Sequence, residues 1–147
     1  MSLDRRMGDG TVLPDAFNAI ETVLSGSGLS VLYQELMGQH LASDSPLLPP
    51  SEILASTHSE QARMAVRIFS DVFAQALGNL VLAVAAWDGV FVFGSVAREW
   101  ARIADHSRFR SIFEDKGAMQ QHMARVPIAI VTAEDVTLAG LAAIPAA

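Results

Sequence analysis

The chain has 147 residues, of which 51% are apolar and 18% charged, and its net charge is −6. This length fits one domain, and so much apolar surface excludes intrinsic disorder. Its arginines are scattered and offer no basic surface for nucleic acid, and the absence of cysteine excludes disulfides and thiolate chemistry.

The mean hydropathy of +0.33 is high for a small monomer, which must cover itself with polar side chains. We therefore expect the chain to bury apolar surface in an oligomer or to be part of something larger. Residues 1–6 lack the apolar core of a signal peptide, and the longest apolar stretch, residues 80–87, is too short to span a bilayer. A chain of this kind, without cysteine, suits the cytoplasm.

The polar residues 1–15 are predicted to form a flexible segment ahead of a single domain over residues 16–147. Near the start of that domain, a Ser-Gly-Ser-Gly turn precedes leucines at helical spacing. This pattern predicts a helix over about 28–42, with Ser27 or Ser30 as its cap.

Three prolines predict a loop over residues 43–50, and a short helix follows from Ser51. The strongest periodic pattern in the chain then predicts a long helix over about 59–86, capped by Ser59. Towards its C-terminal end this helix becomes apolar on all sides, so we expect that end to be fully buried.

Two short apolar runs, residues 90–93 and 127–131, read as buried parallel strands. Helices separate them, and the order of helices and strands suits a parallel α/β sheet with right-handed crossovers. Because two strands do not make a stable sheet alone, the pattern indicates an incomplete one.

The remaining helices are predicted from polar periodic segments and from capping residues. Ser95 is expected to cap a helix over about 95–104. A helical region over residues 107–125 is expected to break at Gly117, and a small-residue helix is predicted over 137–144.

No catalytic or metal-binding motif emerges from the histidines. They lie far apart, none has a partner at metal-ligand spacing, and the sequence lacks a Gly-x-Ser-x-Gly nucleophile elbow. Surface histidines are the ordinary interpretation of such a distribution. The four are His40, His58, His106 and His122.

The Gly94-Ser95 turn is a better candidate for binding, because it follows a predicted strand and opens a helix. Such a turn brings backbone N–H groups to the sheet edge at which α/β proteins bind ligands. A tight turn without a ligand remains the alternative. Glu21, one carboxylate ahead of a glycine turn, indicates little by itself.

Several segments match one known pattern in order and spacing from about residue 17 to 144. They are residues 21–29 (Glu-Thr-Val-Leu-Ser-Gly-Ser-Gly-Leu, with Leu-Tyr at 32–33), 89–94 (Gly-Val-Phe-Val-Phe-Gly), 109–117 (Phe-Arg-Ser-Ile-Phe-Glu-Asp-Lys-Gly) and 126–132 (Val-Pro-Ile-Ala-Ile-Val-Thr). Together they resemble the C-terminal part of the bacterial-type ATP-dependent glucokinase family.

The resemblance implies the two-lobed hexokinase/actin fold. For this chain it implies an α/β domain that is a helix-rich, incomplete hexokinase- or RNase H-like lobe, with about two buried parallel strands and a long central helix. In that family, the lobe nearer the N-terminus carries an Asp-x-Gly-Gly-Thr phosphate loop and the aspartate that acts as general base. The present sequence contains neither, so the resemblance implies no catalytic residue and no metal ligand here.

The resemblance does imply binding residues. Glu21 matches a glutamate that hydrogen-bonds glucose hydroxyls, and a carboxylate suits that role because it accepts from two hydroxyls at once. Gly94 and Ser95 fall where the family has a Gly-Gly pair near the adenine nucleotide, and Ser95 departs from it. Residues 85–88 replace a Gly-Thr-x-Gly run, whereas residues 114–117 are interpreted as a structural helix boundary with local charge pairing.

We therefore expect the C-terminal domain or a truncated form of a glucokinase, the enzyme that makes glucose 6-phosphate from glucose and ATP with Mg²⁺, and expect no activity from this chain alone. The alternative is a non-catalytic interaction or regulatory module derived from a sugar kinase, and a decayed gene remnant also remains open. Glucose binding is expected to be weak or lost, and no cofactor to be tightly bound. We expect neither a nucleic-acid nor a membrane partner, but a homo-oligomer that buries the exposed apolar face.

Overall fold

A computed structural model describes residues 23–38, 46–56 and 58–133, which form six α-helices, one 3₁₀ turn and two parallel strands. The predicted N-terminal segment, Glu21, His40 and the predicted helix over 137–144 lie outside the described residues. In chain order the elements are α1 (Gly26–Leu36), α2 (Pro50–Ala55), α3 (Glu60–Val84), β1 (Val90–Val92), α4 (Ser95–Ile103), α5 (His106–Glu114), a 3₁₀ turn (Gly117–Met119), α6 (Gln120–Met123) and β2 (Ile128–Ile130).

Helix α1 begins earlier than predicted because its cap is Ser25. The backbone of Ser25 is extended, and its Oγ accepts a hydrogen bond from the N–H of Gly28 at 2.9 Å. The prediction of Ser27 or Ser30 as the cap was therefore wrong, since both lie inside the helix. The helix also ends at Leu36, earlier than predicted.

Helix α3 is the centre of the fold and packs against both α1 and α5. The predicted cap is confirmed, because the Oγ of Ser59 accepts from the N–H of Ala62 at 3.3 Å. The helix ends at Ala85, which adopts a left-handed conformation with φ 53° and ψ 43°.

The C-terminal end of α3 corrects a prediction. Val81 is fully buried, but Leu80 is 56% and Val84 62% exposed. The expectation of a fully buried end was wrong, because the described elements cover one face of these last turns and leave the other uncovered.

In the described part of the chain, α3 is the one helix that is long and apolar enough to cross a bilayer. Within its most apolar window, 61% is buried inside the fold. A helix in the core of a water-soluble protein meets the same criteria, so length and composition give weak support for a membrane span here.

Strands β1 and β2 pair in parallel, as predicted, with Val90 opposite Ile128 and Phe91 opposite Ala129. Val90 and Ile128 pack against the core, and Ile130 does so too. Burial is confined to this inner face, because Phe91 is 77% exposed on the outer one. The expectation of buried strands thus holds for the inner face and needs correction for the outer one.

The helical region predicted over residues 107–125 divides into three pieces, which are α5, the 3₁₀ turn and α6. The N-cap of α5 is Asp105, whose carboxylate accepts a hydrogen bond from the N–H of Arg108 at 2.9 Å. The predicted break is confirmed at Gly117, where φ is 54° and the 3₁₀ turn begins.

The predicted cap of α4 is corrected by the structure. Ser95 is the first residue of α4 and makes no capping hydrogen bond, so the prediction of Ser95 as a cap was wrong.

Residues 114–117 form the predicted helix boundary. Arg110 and Glu114 form an ion pair along the last turn of α5. Lys116 then lies across the backbone of Gly78 in α3, where a Cβ atom would come within 2.6 Å of Lys116 Cε and 2.7 Å of the Phe113 carbonyl oxygen. A glycine in the middle of α3 therefore lets the two helices approach closely.

Candidate functional site

Two glycine turns that are far apart in sequence meet in one cleft of about 380 Å³. One wall is formed by residues 24–26 at the start of α1, and the other by residues 93–97 at the end of β1 and the start of α4. Phe69, Phe73 and Trp100 line it as well and make it predominantly apolar. The cleft lies at the C-terminal end of a strand, where α/β sheets bind ligands.

Gly94 shapes the second wall through its backbone. Its φ of 118° and ψ of 161° belong to a region that is essentially restricted to glycine. In the described part of the chain no atom would lie within 4 Å of an added Cβ, so it is conformation rather than crowding that requires glycine here. The space beside Gly94 is open to a ligand.

Helix α4 directs its N-terminus at this space. Its N-cap, Gly94, has no side chain to accept from the first N–H groups, and the first helical hydrogen bond runs from the Arg98 N–H to the Gly94 carbonyl oxygen at 3.1 Å. The N–H groups of the first turn therefore carry partial positive charge towards the cleft. Such a helix end favours negatively charged ligand groups.

The aromatic side of the cleft is held in place by packing and one hydrogen bond. The Trp100 ring lies 5.2 Å from the Phe73 ring and 4.9 Å from the Phe109 ring. Its Nε1 donates to the Oγ of Ser70 at 2.6 Å, and that hydroxyl donates to the Val66 carbonyl oxygen at 2.8 Å. The indole nitrogen is thereby satisfied inside the core, and the cleft presents a fixed apolar surface.

Of the residues singled out in the sequence, Gly94 and Ser95 both line this cleft. Glu21 lies outside the described residues, four positions before Ser25, which also lines it. Sequence reasoning missed that the two turns converge. Phe69 and Phe73 belong to the periodic apolar face of the long helix, and their helical spacing gave no sign that they reach a cleft.

Of the residues that line the cleft, none that the structure describes has a charged side chain. Among the residues that the structure describes, no group of His, Asp and Glu is arranged to hold a metal ion. The ring Nε2 of His106 lies 2.8 Å from the Ala101 carbonyl oxygen, and the His122 ring lies 6.2 Å from the Trp87 ring. The described residues of the cleft therefore offer shape, apolar surface and N–H groups, and none of them supplies a fixed cation.

A second cavity, of about 300 Å³, lies between α2, α3 and the turn from α4 to α5. Its lining combines apolar residues with five charged ones, which are Arg63, Arg67, Asp71, Asp105 and Arg108. Both carboxylate oxygens of Asp71 accept hydrogen bonds from Arg108, so this pair is engaged in joining helices. No residue predicted to bind a ligand lines this cavity.

Comparison with known proteins gives one consistent family. The family model described as Glucokinase matches residues 16–147. The glucokinase of Chromobacterium violaceum is 36% identical over 126 residues, which cover 84% of this chain and 36% of that protein. The glucokinase of Stenotrophomonas maltophilia is 33% identical over 135 residues, covering 90% of this chain and 40% of that protein.

A solved structure agrees with these relatives. The crystal structure of a glucokinase from an Antarctic psychrotroph matches with a TM-score of 0.68 and 30% identity, over 92% of this chain and 40% of that one. The present chain thus spans less than half the length of the proteins it matches.

Proposed function

This chain belongs to the glucokinase family, and we propose that it supplies the C-terminal, ligand-facing part of such an enzyme and does not phosphorylate glucose by itself. The observation that carries the proposal is the convergence of residues 24–26 and 93–97 on one cleft. Cytoplasmic localisation is part of the proposal, since the chain has no cysteine and the family reaction consumes ATP.

The cleft is proposed to take the nucleoside part of ATP. Its volume of about 380 Å³ falls in the range of small-molecule sites, and its aromatic lining suits a flat, apolar base. The N–H groups at the start of α4 would face the phosphates. Ser95 adds a side chain where the family resemblance places a second glycine, which supports weakened rather than tight nucleotide binding.

Glucose is proposed to bind through Glu21. A carboxylate accepts hydrogen bonds from two adjacent sugar hydroxyls, and it holds them in a fixed orientation. Glu21 precedes by four residues the Ser25-Gly26 turn that lines the cleft. This sequence proximity supports a sugar site next to the nucleotide site, as phosphoryl transfer requires.

We expect no turnover because phosphoryl transfer requires charged groups around the phosphates. When bound, Mg²⁺ neutralises the negative charge that develops on the transferred phosphoryl group. Where the structure describes its lining, the cleft has no carboxylate for Mg²⁺ and no lysine or arginine for the phosphates. The sequence also lacks the Asp-x-Gly-Gly-Thr motif and the general base that it accompanies. Binding without chemistry is the result we expect.

The second candidate is a non-catalytic interaction or regulatory module with this fold. The absence of charge among the described lining residues of the cleft, and Ser95 in place of glycine, favour it. Under this alternative the cleft would bind neither glucose nor ATP, and the fold would serve a protein partner.

Isothermal titration calorimetry of the purified chain with glucose, and separately with ATP and Mg²⁺, distinguishes the ligand-binding part of a glucokinase from the non-catalytic interaction module. We expect weak glucose binding that Glu21→Gln abolishes, and nucleotide binding that Ser95→Gly strengthens. Glu52→Gln, a matched change of an exposed carboxylate in α2, is the control and should leave both unchanged. A folded chain that binds neither ligand would reject the proposed binding role in favour of the interaction module.

A further inference from the structure

The cavity between α2, α3 and the turn from α4 to α5 has an apolar floor. Ile53, Leu54 and Ala62 line it and are at most 4% exposed. Val66 and Phe109 are buried beside them. In the part of the chain that the structure describes, this cavity has no lining residue in common with the cleft between the two glycine turns. It is therefore a separate place at which a ligand can bind.

Three arginines line the same cavity. Arg63 and Arg67 lie one turn apart on α3, a spacing that places two side chains on the same face of a helix. Arg108 contributes to the wall from α5. Arg63 is exposed, and Arg67 and Arg108 are half-buried. The positive charges therefore lie towards solvent, and the apolar floor lies away from it.

The two carboxylates of the lining are already used inside the protein. Asp71 accepts two hydrogen bonds from the Arg108 guanidinium, at 2.8 and 2.7 Å, and Asp105 accepts from the backbone N–H of Arg108 as the N-cap of α5. Three arginines against two aspartates give the described lining a net positive charge, whereas the whole chain carries −6. A ligand with a single negative charge would balance this lining.

We propose that this cavity binds a small monocarboxylate with an apolar body, and that the carboxylate lies between Arg63 and Arg67. The apolar body covers Ile53 and Leu54, and its removal from water favours binding. The volume of about 300 Å³ accommodates about ten non-hydrogen atoms, if each takes the ~30 Å³ that a water molecule occupies in the liquid. Octanoate, a straight-chain acid, is of this size.

The chemistry of the guanidinium group suits such a ligand. It presents five N–H donors in a fork that matches a carboxylate, so an arginine that already has a partner can also donate to a ligand. Arg63, for example, donates from Nη1 to the His58 carbonyl oxygen at 3.2 Å. Like charges four residues apart destabilise a helix, and an anion between Arg63 and Arg67 offsets that repulsion.

Calorimetric titration of the purified chain with three probes tests the ligand class. We expect octanoate to bind at one site per chain. Octanol has the same apolar chain without the charge and should bind at least about tenfold more weakly. Acetate has the charge without the chain and should not bind measurably. A folded chain that does not bind octanoate, or that binds octanol or acetate as tightly, would overturn the proposal.

Substitution of the arginines tests which side chains hold the carboxylate. Arg67→Met removes the charge and keeps a long apolar side chain, and we expect it to weaken octanoate binding about tenfold. Arg102→Met, which removes an exposed arginine of α4 outside the described lining, is the control and should leave binding unchanged. Arg63→Met gives the same test at an exposed position if circular dichroism shows that Arg67→Met does not fold. Equal losses in the cavity variant and the control would contradict the assignment.

The backbone amide NMR spectrum of the wild-type chain locates the bound octanoate. We expect the largest changes on titration in residues 62–71 and 103–109, which form most of the cavity wall. The largest changes in residues 24–26 and 93–97 would place octanoate in the other cleft and overturn the proposal. Because the two sites have separate linings, failure of octanoate to bind would leave the proposed ATP site unaffected.

Discussion

Arg108 on α5 donates two hydrogen bonds to the carboxylate of Asp71 on α3, from Nε to Oδ1 at 2.8 Å and from Nη2 to Oδ2 at 2.7 Å. The Asp71 side chain is only 5% exposed, whereas that of Arg108 is 38% exposed. The pair joins two helices whose paired residues are 37 positions apart in sequence. It allows a carboxylate to remain buried beside the apolar core.

Removal of the arginine should therefore destabilise the fold. Arg108→Ala leaves Asp71 buried without its partner, and we expect the free energy of unfolding to fall by about 2–3 kcal/mol, less than for a fully buried pair because Arg108 is partly exposed. Urea denaturation measures it. Arg102→Ala breaks an exposed pair with Glu99 and should cost under about 1 kcal/mol. Equal losses in the two variants would contradict a special role for Asp71.

The close approach at Gly78 predicts an unusual result for a glycine in a helix. Gly→Ala normally stabilises a helix by about 1 kcal/mol. At Gly78 the added methyl would meet the Phe113 carbonyl oxygen at 2.7 Å, so we expect Gly78→Ala to destabilise by about 1–3 kcal/mol. Gln75→Ala, at an exposed position of the same helix, should be nearly neutral, and thermal denaturation compares the two. A stabilised Gly78→Ala protein would show that α3 and α5 are less tightly packed.

Replacement of Ala85 by glycine is expected to stabilise the protein. It ends α3 in the left-handed region, where a side chain is unfavourable and glycine is not. We expect Ala85→Gly to raise the free energy of unfolding by about 1 kcal/mol. Ala83→Gly, inside the same helix, should lower it by about 0.5–1 kcal/mol. Two changes of the same kind, two residues apart, should thus act in opposite directions in a denaturant titration.

The free energy of unfolding is expected to depend on pH in the alkaline range because Lys116 has a lowered pKa. Burial lowers the pKa of its ammonium, and nearby Asp115 opposes that shift. Between the lowered pKa and the ordinary value of about 10.4, the unfolded chain binds more protons than the folded one, so stability from this group rises with pH.

The comparison with Lys116→Met isolates this effect, because Lys116 is the one lysine in the chain and every other residue is the same in both proteins. We expect the stability of the wild type to rise relative to the variant as the pH approaches about 10.4, since the cost of burying a charged lysine is then lost. A constant difference between the two proteins across this range would show that Lys116 is not buried in its charged form.

Local patterns in the sequence predicted elements well where one residue period dominates. The periodicity of α3 and its Ser59 cap, the apolar runs of β1 and β2, and the break at Gly117 are all visible in the sequence. The cap at Ser25 was missed by two residues, because a run of serines and glycines offers several possible caps and backbone conformation decides among them.

Long-range contacts and burial depend on distant parts of the chain and could not be predicted from local sequence patterns. Nothing local indicates that Asp71 meets Arg108, or that Ser25 and Gly94 share a cleft. Burial was overestimated for Leu80 and Phe91, because an apolar residue is buried only where another element covers it. The glycine at position 94 was recognised as a turn, but its conformation and its open surroundings are visible only in three dimensions.

A coupled assay of glucose phosphorylation tests directly whether the chain is inactive alone, with the purified chain produced in a host that lacks its own glucokinase. We expect no glucose-dependent formation of ADP above the blank, for the wild type and for Glu21→Gln alike. Glucose-dependent turnover in the wild type that Glu21→Gln abolishes would contradict it, and would show that these 147 residues contain a complete phosphotransferase site.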